Sequence, residues 1–164
     1  MSTKENKIEE IDALVGRTHR ACQLFEYMLA EVLYEWRIHI YPKKPLELTE
    51  AIKEINEIRK STFKHTTIGP NIMKLQKEGI FEEGTIELLR MFKDIRNKFI
   101  HDFHHDYGIE LMLIEGNFQK GIFNEEHVEA SYYKLKTDLN QIINNMEKAV
   151  SLCKEIKDTI LRLS

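Results

Sequence analysis

Apolar residues recur every three or four positions along most of this chain, and the pattern cuts it into helices. From Ile8 to Ile40 the spacing is held by Ile8, Ile11, Val15, Thr18, Cys22, Phe25, Leu29, Val32 and Trp36, with Thr18 the one polar member. Such a repeat predicts one long helix with a narrow core-facing seam, in which Gly16 is a mild fault. A second seam closes the chain through Leu135, Leu139, Ile142, Met146, Ala149, Cys153, Ile156, Ile160 and Leu163. Asn124 is its expected N-cap, with Glu125 and Glu126 in the first turn, where the helix dipole favours acids. Midway, Leu88, Phe92, Ile95 and Phe99 at 4-3-4 spacing predict an amphipathic helix, capped by Thr85 and continuing to about Asp106.

The shorter elements follow from turn chemistry. Pro42 and Pro45 end the first helix. Thr49 is a fair N-cap for a helix over about 50–60, with Ile52, Ile55 and Ile58 inward. Residues 61–68 read as a connection. Gly69-Pro70 then opens a short helix that Gly79 ends. Residues 107–123, punctuated by Gly108, Gly116 and Gly121, are the least legible, and Ile109 to Ile114 fits a short strand or a helical turn equally. There is no internal repeat or low-complexity segment. The pattern predicts one all-α domain over residues 1–164, an antiparallel up-and-down bundle of four to five helices with long N- and C-terminal members.

Composition narrows the function classes. A net charge of −3 argues against a protein held to nucleic acid by bulk positive charge, though not against a local basic patch. Both cysteines, Cys22 and Cys153, fall on apolar seams, as buried thiols in a reducing compartment do. No Cys-x-x-Cys offers a thiolate zinc site. The polar first residues lack a following apolar region, and no apolar run approaches the length of a membrane span. The expectation is a cytoplasmic protein with no membrane partner.

The candidate chemistry sits on the central helix. Asp94, Asn97, His101 and His104 recur at 3-4-3 spacing as a polar stripe, with Arg96 on the flank between it and the apolar stripe. Imidazole titrates near neutral pH, which makes His101 the best acid-base candidate. The guanidinium of Arg96 is always charged and presents a planar fork of donors to a phosphate. Asn97 can orient a neighbour or hold a phosphate oxygen. These groups suit metal-free RNA cleavage, in which a base takes the ribose 2′-OH proton, the 2′-oxygen attacks phosphorus, and a cation stabilises the developing charge. Residues five apart on a helix lie about 140° apart around its axis, so Arg96 and His101 of one chain do not converge easily. Two copies about a two-fold axis would bring two such sets into one cleft. Arg90, Lys93 and Lys98 would add positive charge there, and Arg17, His19, Arg20, Gln23, Glu26 and Tyr27 flank the first seam as further candidates.

The run Arg96-Asn97-Lys98-Phe99-Ile100-His101 resembles the R-x4-6-H signature of HEPN domains, in a mid-chain helix between two long ones as in that superfamily; a weaker likeness is to the mannitol operon repressors. The HEPN resemblance implies a metal-independent endoribonuclease without cofactor, of toxin or phage-defence type, acting on RNA as a homodimer with a composite site. It implies catalytic roles for Arg96 and His101 and a supporting role for Asn97; Asp94 and His104, on the same polar stripe, are candidates to line or support the substrate site. An antitoxin or regulatory protein is the implied partner. One departure stands out. A subgroup of such toxins carries a Tyr two places after the His that a partner enzyme modifies, and this chain has Phe103 there, with Tyr107 nearby.

Two other readings compete. The same helices would serve a non-catalytic interaction or regulatory module. The segment from His101 to Asp106 is dense in metal-ligand types, with His101/His105 and Asp102/Asp106 each one helical turn apart, and so suggests a metal-dependent phosphohydrolase. That chemistry also needs a distant His and Asp, for which His65 and Asp138 are the loose candidates.

Overall fold

The periodicity of the chain is realised almost throughout as α-helix. The computed structural model describes residues 4–40, 46–64, 68–79, 81–117 and 122–163. They form α1 (Lys4–His39), α2 (Leu48–Phe63), α3 (Ile68–Lys77), α4 (Glu83–Asp106), α5 (Gly108–Glu115) and α6 (Glu125–Leu163), with no strand among them. The protein is an all-α helical bundle. Pro42, Pro45, His65 and Gly121 lie outside the described residues. No helix is long and apolar enough to cross a membrane.

Residues 1–164 read as one domain from sequence; the structure gathers them into two compact units through which α1, α4 and α6 all run. The first unit holds the chain up to Cys22 and Asp94–Met146. Ile11, Leu14, Cys22, Phe99, Phe103, Leu113, Leu135, Leu139 and Met146 are buried in it. Thr18, the polar member of the α1 seam, is fully buried because its hydroxyl donates to the Leu14 carbonyl at 2.8 Å. Lys7 pairs with Glu129, and Glu10 meets Tyr132 and Lys136. Contacts that advance together along both helices mean that α1 and α6 run in the same direction here. The chain therefore reverses an even number of times between them, which strict up-and-down alternation of all six helices would not give.

The second unit holds Gln23–Lys93 and the chain from Glu147 onward. Phe25, Leu29, Leu33, Leu75, Ile86, Leu89, Ala149, Cys153 and Ile160 are buried in it. Lys157 of α6 reaches Glu31 at 2.6 Å and Glu35 at 3.7 Å on α1.

Several elements differ from the sequence expectation in rotation or end point. On α4 the core-facing leucine is Leu89, fully buried, while Leu88 is 44% exposed. The buried set is Ile86, Leu89, Phe92, Phe99 and Phe103, with Ile95 half-buried. Two adjacent leucines fit the period almost equally, and Phe103 at the far end of the stripe goes with the rotation that buries Leu89. α2 is turned away from its expected face. Ile52 and Ile55 are exposed and Ile58 half-buried; the helix is held at its C-terminal end, where Arg37 bonds the Ser61 and Thr62 hydroxyls at 2.9 and 2.8 Å and Phe63 packs on Tyr27 and Tyr34. α2 also starts at Leu48 behind Glu47, so Thr49 lies within its first turn, and it continues through Phe63. Thr85 likewise lies inside α4. Leu163 is exposed.

Two other terminal signals hold, at Asn124 and Gly79. Asn124 caps α6: its Oδ1 accepts the His127 N–H at 3.1 Å, and His127 Nδ1 accepts the Asn124 N–H in return. The ambiguous stretch is α5, a helix, ended by Gly116 at φ +74, a left-handed value that glycine adopts without Cβ strain. Gly79 closes α3 in the same way at φ +64.

Candidate functional site

All five residues singled out from sequence lie on the half of α4 that belongs to the first unit. Burying Phe99 and Phe103 fixes the rotation of this segment and turns the polar stripe outward. At 100° per residue, His101 sits about 160° round the helix from both phenylalanines. It is exposed, and among the described residues it makes no hydrogen bond, ion pair or ring contact. Asp94 and His104 are exposed on the same side; the His104 ring lies edge-on to Phe103, with centroids 5.4 Å apart.

Arg96 and Asn97 are half-buried, and Arg96 Nη1 donates to Asn97 Oδ1 at 2.9 Å. The amide thus steadies the guanidinium from the adjacent position. The structure brings these two together. It does not bring His101 to them, as the angular offset leads one to expect. A bond forming to a phosphate at Arg96 and a proton moving at His101 would need groups from a second chain, or a substrate spanning the flank of α4.

The surrounding charge is partly committed. Lys98 lies 3.6 Å from Asp106, and Arg90 meets Gln76 and Glu83. His105 Nδ1 lies 3.4 Å from Asp106 Oδ1. His19 of α1 packs edge-on to Phe99, centroids 4.9 Å apart, so the polar flank of α1 does reach this part of α4. Among the described residues, no three His, Cys, Asp or Glu side chains come together as a metal-ion site. Asp138, one of the distant ligand candidates, accepts the Tyr107 hydroxyl at 3.0 Å instead.

A groove of about 310 Å³ lies on the opposite side of α4 from His101. Ile95, Phe99, Phe103 and Ile142 form its apolar walls, and Lys98, Asp106, Tyr107, Asp138, Gln141 and Asn145 its polar rim. Burial, and then the bond to Asp138, pushes the Tyr107 hydroxyl up to about 12. The apolar stripes of the sequence do not by themselves mark this groove. Its signal was the polar run Asp138, Gln141 and Asn145, which interrupts one flank of the α6 seam at helical spacing. Phe103 is buried core.

No family profile, curated protein or solved structure matches this chain.

Proposed function

We propose that this protein is a metal-independent endoribonuclease of HEPN type, working as a homodimer whose two α4 helices share one cleft. The observation that carries the reading is the division of labour on α4: Arg96 is held by Asn97, while His101 stands exposed and uncommitted five residues on. A general base must be able to take up and release a proton, and a histidine with no competing partner is fitted to that. A phosphate clamp profits from being preorganised, and the Asn97 contact supplies this.

In this reading one His101 accepts the 2′-OH proton as the 2′-oxygen bonds to phosphorus. The bond from phosphorus to the 5′-oxygen breaks, and a second His101, from the other copy, protonates the leaving oxygen. Arg96 stabilises the charge on the non-bridging oxygens. The products are a 2′,3′-cyclic phosphate and a 5′-OH. DNA lacks the attacking hydroxyl and is not cut. A toxin or defence role, with an antitoxin as partner, follows from the HEPN resemblance. With a net charge of −3, affinity for RNA rests on local cations and the fit of a particular RNA.

The test is a mixed RNA pool incubated with pure protein in EDTA. Cleavage that leaves cyclic-phosphate ends and spares DNA of the same sequences is the expected result. Cleavage that EDTA abolishes contradicts the mechanism in favour of the His/Asp segment. No cleavage by a folded dimer puts the interaction-module reading first.

A further inference from the structure

We infer that His101 and His105 together bind a divalent transition-metal ion of the Zn²⁺ class, and that the bound ion switches His101 off. The switching half rests on the function proposed above; the binding half does not.

The two histidines lie one turn apart on an uninterrupted helix, Glu83–Asp106, with Cβ atoms about 5–6 Å apart as for any i, i+4 pair. That separation lets two imidazole nitrogens reach one ion at about 2.0–2.1 Å each. Both rings are accessible: His101 is exposed and uncommitted, and the His105 side chain is 91% exposed. Asp106 stands 3.4 Å from His105 Nδ1. A carboxylate on one ring nitrogen fixes the tautomer and makes the other a better ligand, the arrangement found behind metal-binding histidines generally.

The location adds to this. The pair occupies the last turns of a 24-residue helix, whose C-terminal end favours a cation, and Asp102 and Asp106 add negative charge. Lys98, 3.6 Å from Asp106, opposes this in part. No third side chain joins the pair among the described residues, so water completes the coordination. Two nitrogen ligands select Zn²⁺, Ni²⁺ or Cu²⁺ over Mg²⁺, which demands oxygen. An ion on the His101 lone pair blocks the proton transfer that cleavage requires. On this account EDTA raises the activity of protein carrying Zn²⁺.

The test is Zn²⁺ titration of chelator-stripped protein by calorimetry, for wild type, His101→Ala, His105→Ala and His104→Ala. The expected result is one ion per chain, a loss of affinity of about tenfold or more in both His101→Ala and His105→Ala, and no change in His104→Ala. Unchanged affinity in His105→Ala overturns the site. In parallel, Zn²⁺ should inhibit RNA cleavage by wild type, while His105→Ala cleaves normally and resists Zn²⁺. Binding at the pair without inhibition overturns the switch but leaves the site. Absence of all cleavage removes the ribonuclease reading, and with it the switch, while the calorimetry still decides the site.

Discussion

Arg96, Asn97 and His101 show how little of a site a single side chain defines. Arg96 and His101 stand out as candidates from residue type and spacing. The hold of Asn97 on Arg96 was legible only as a role that Asn can play; the structure supplies the 2.9 Å bond. Tyr107 drew notice for its place near Phe103, whereas its partner Asp138, 31 positions away, could not be read from the chain. Its hydroxyl, pushed up to about 12, holds its proton more tightly in the folded protein than in the unfolded chain, where tyrosine titrates near 10. The associated stability is whole below about pH 10 and is lost as pH rises through about 12. Tyr107→Phe should therefore cost about 1 kcal/mol near pH 7 and show a shallower loss between pH 10 and 12, read by urea unfolding across that range. Cys153 makes a similar point about burial. Its thiol is pushed up to about 12 by desolvation alone, so iodoacetamide at pH 8 should label it about tenfold or more faster in denaturant than in the folded protein. Equal rates in the two states would contradict the buried placement.

At the scale of elements, the long seams were the legible part. Over the length of α1 and α6 an error of rotation accumulates, so only one face can be apolar throughout, and buried Phe25, Leu29, Leu135, Leu139, Met146 and Cys153 lie where the spacing put them. Short helices lack that discipline. α2 carries Ile52 and Ile55 on its exposed side, and its contacts with α1 gather at its C-terminal end, where Arg37 bonds Ser61 and Thr62 and Phe63 meets Tyr27 and Tyr34. α4 lies between these cases, with Leu88 and Leu89 both plausible until tertiary packing chooses. The choice has a measurable consequence. Leu89→Ala should cost about 2–5 kcal/mol of unfolding free energy, as for a large core side chain, while Leu88→Ala stays within about 1 kcal/mol. The reverse order would mean that α4 is rotated by about one residue. Such a rotation would also turn His101 by about 100° and undo its exposure. The register of α4 is thus part of the functional argument as well as of the fold.

For the molecule as a whole, helical class and helix order were legible, and the division into two compact units was not. Periodicity reports which face of a helix is buried, not where contacts along it change partners, and α1, α4 and α6 each pass through both units without a break in their pattern. The same limit applies to assembly. A single chain holds Arg96 in place and leaves His101 apart from it, so the proposed chemistry belongs to two copies rather than one. The most direct test is the rate of RNA cleavage in EDTA by wild type, Arg96→Ala and His101→Ala, each first shown to be helical by circular dichroism and of the same mass by sedimentation. The account predicts that each variant, folded and assembled as wild type, loses about 10²-fold or more in rate. Cleavage by either variant at the wild-type rate would contradict it.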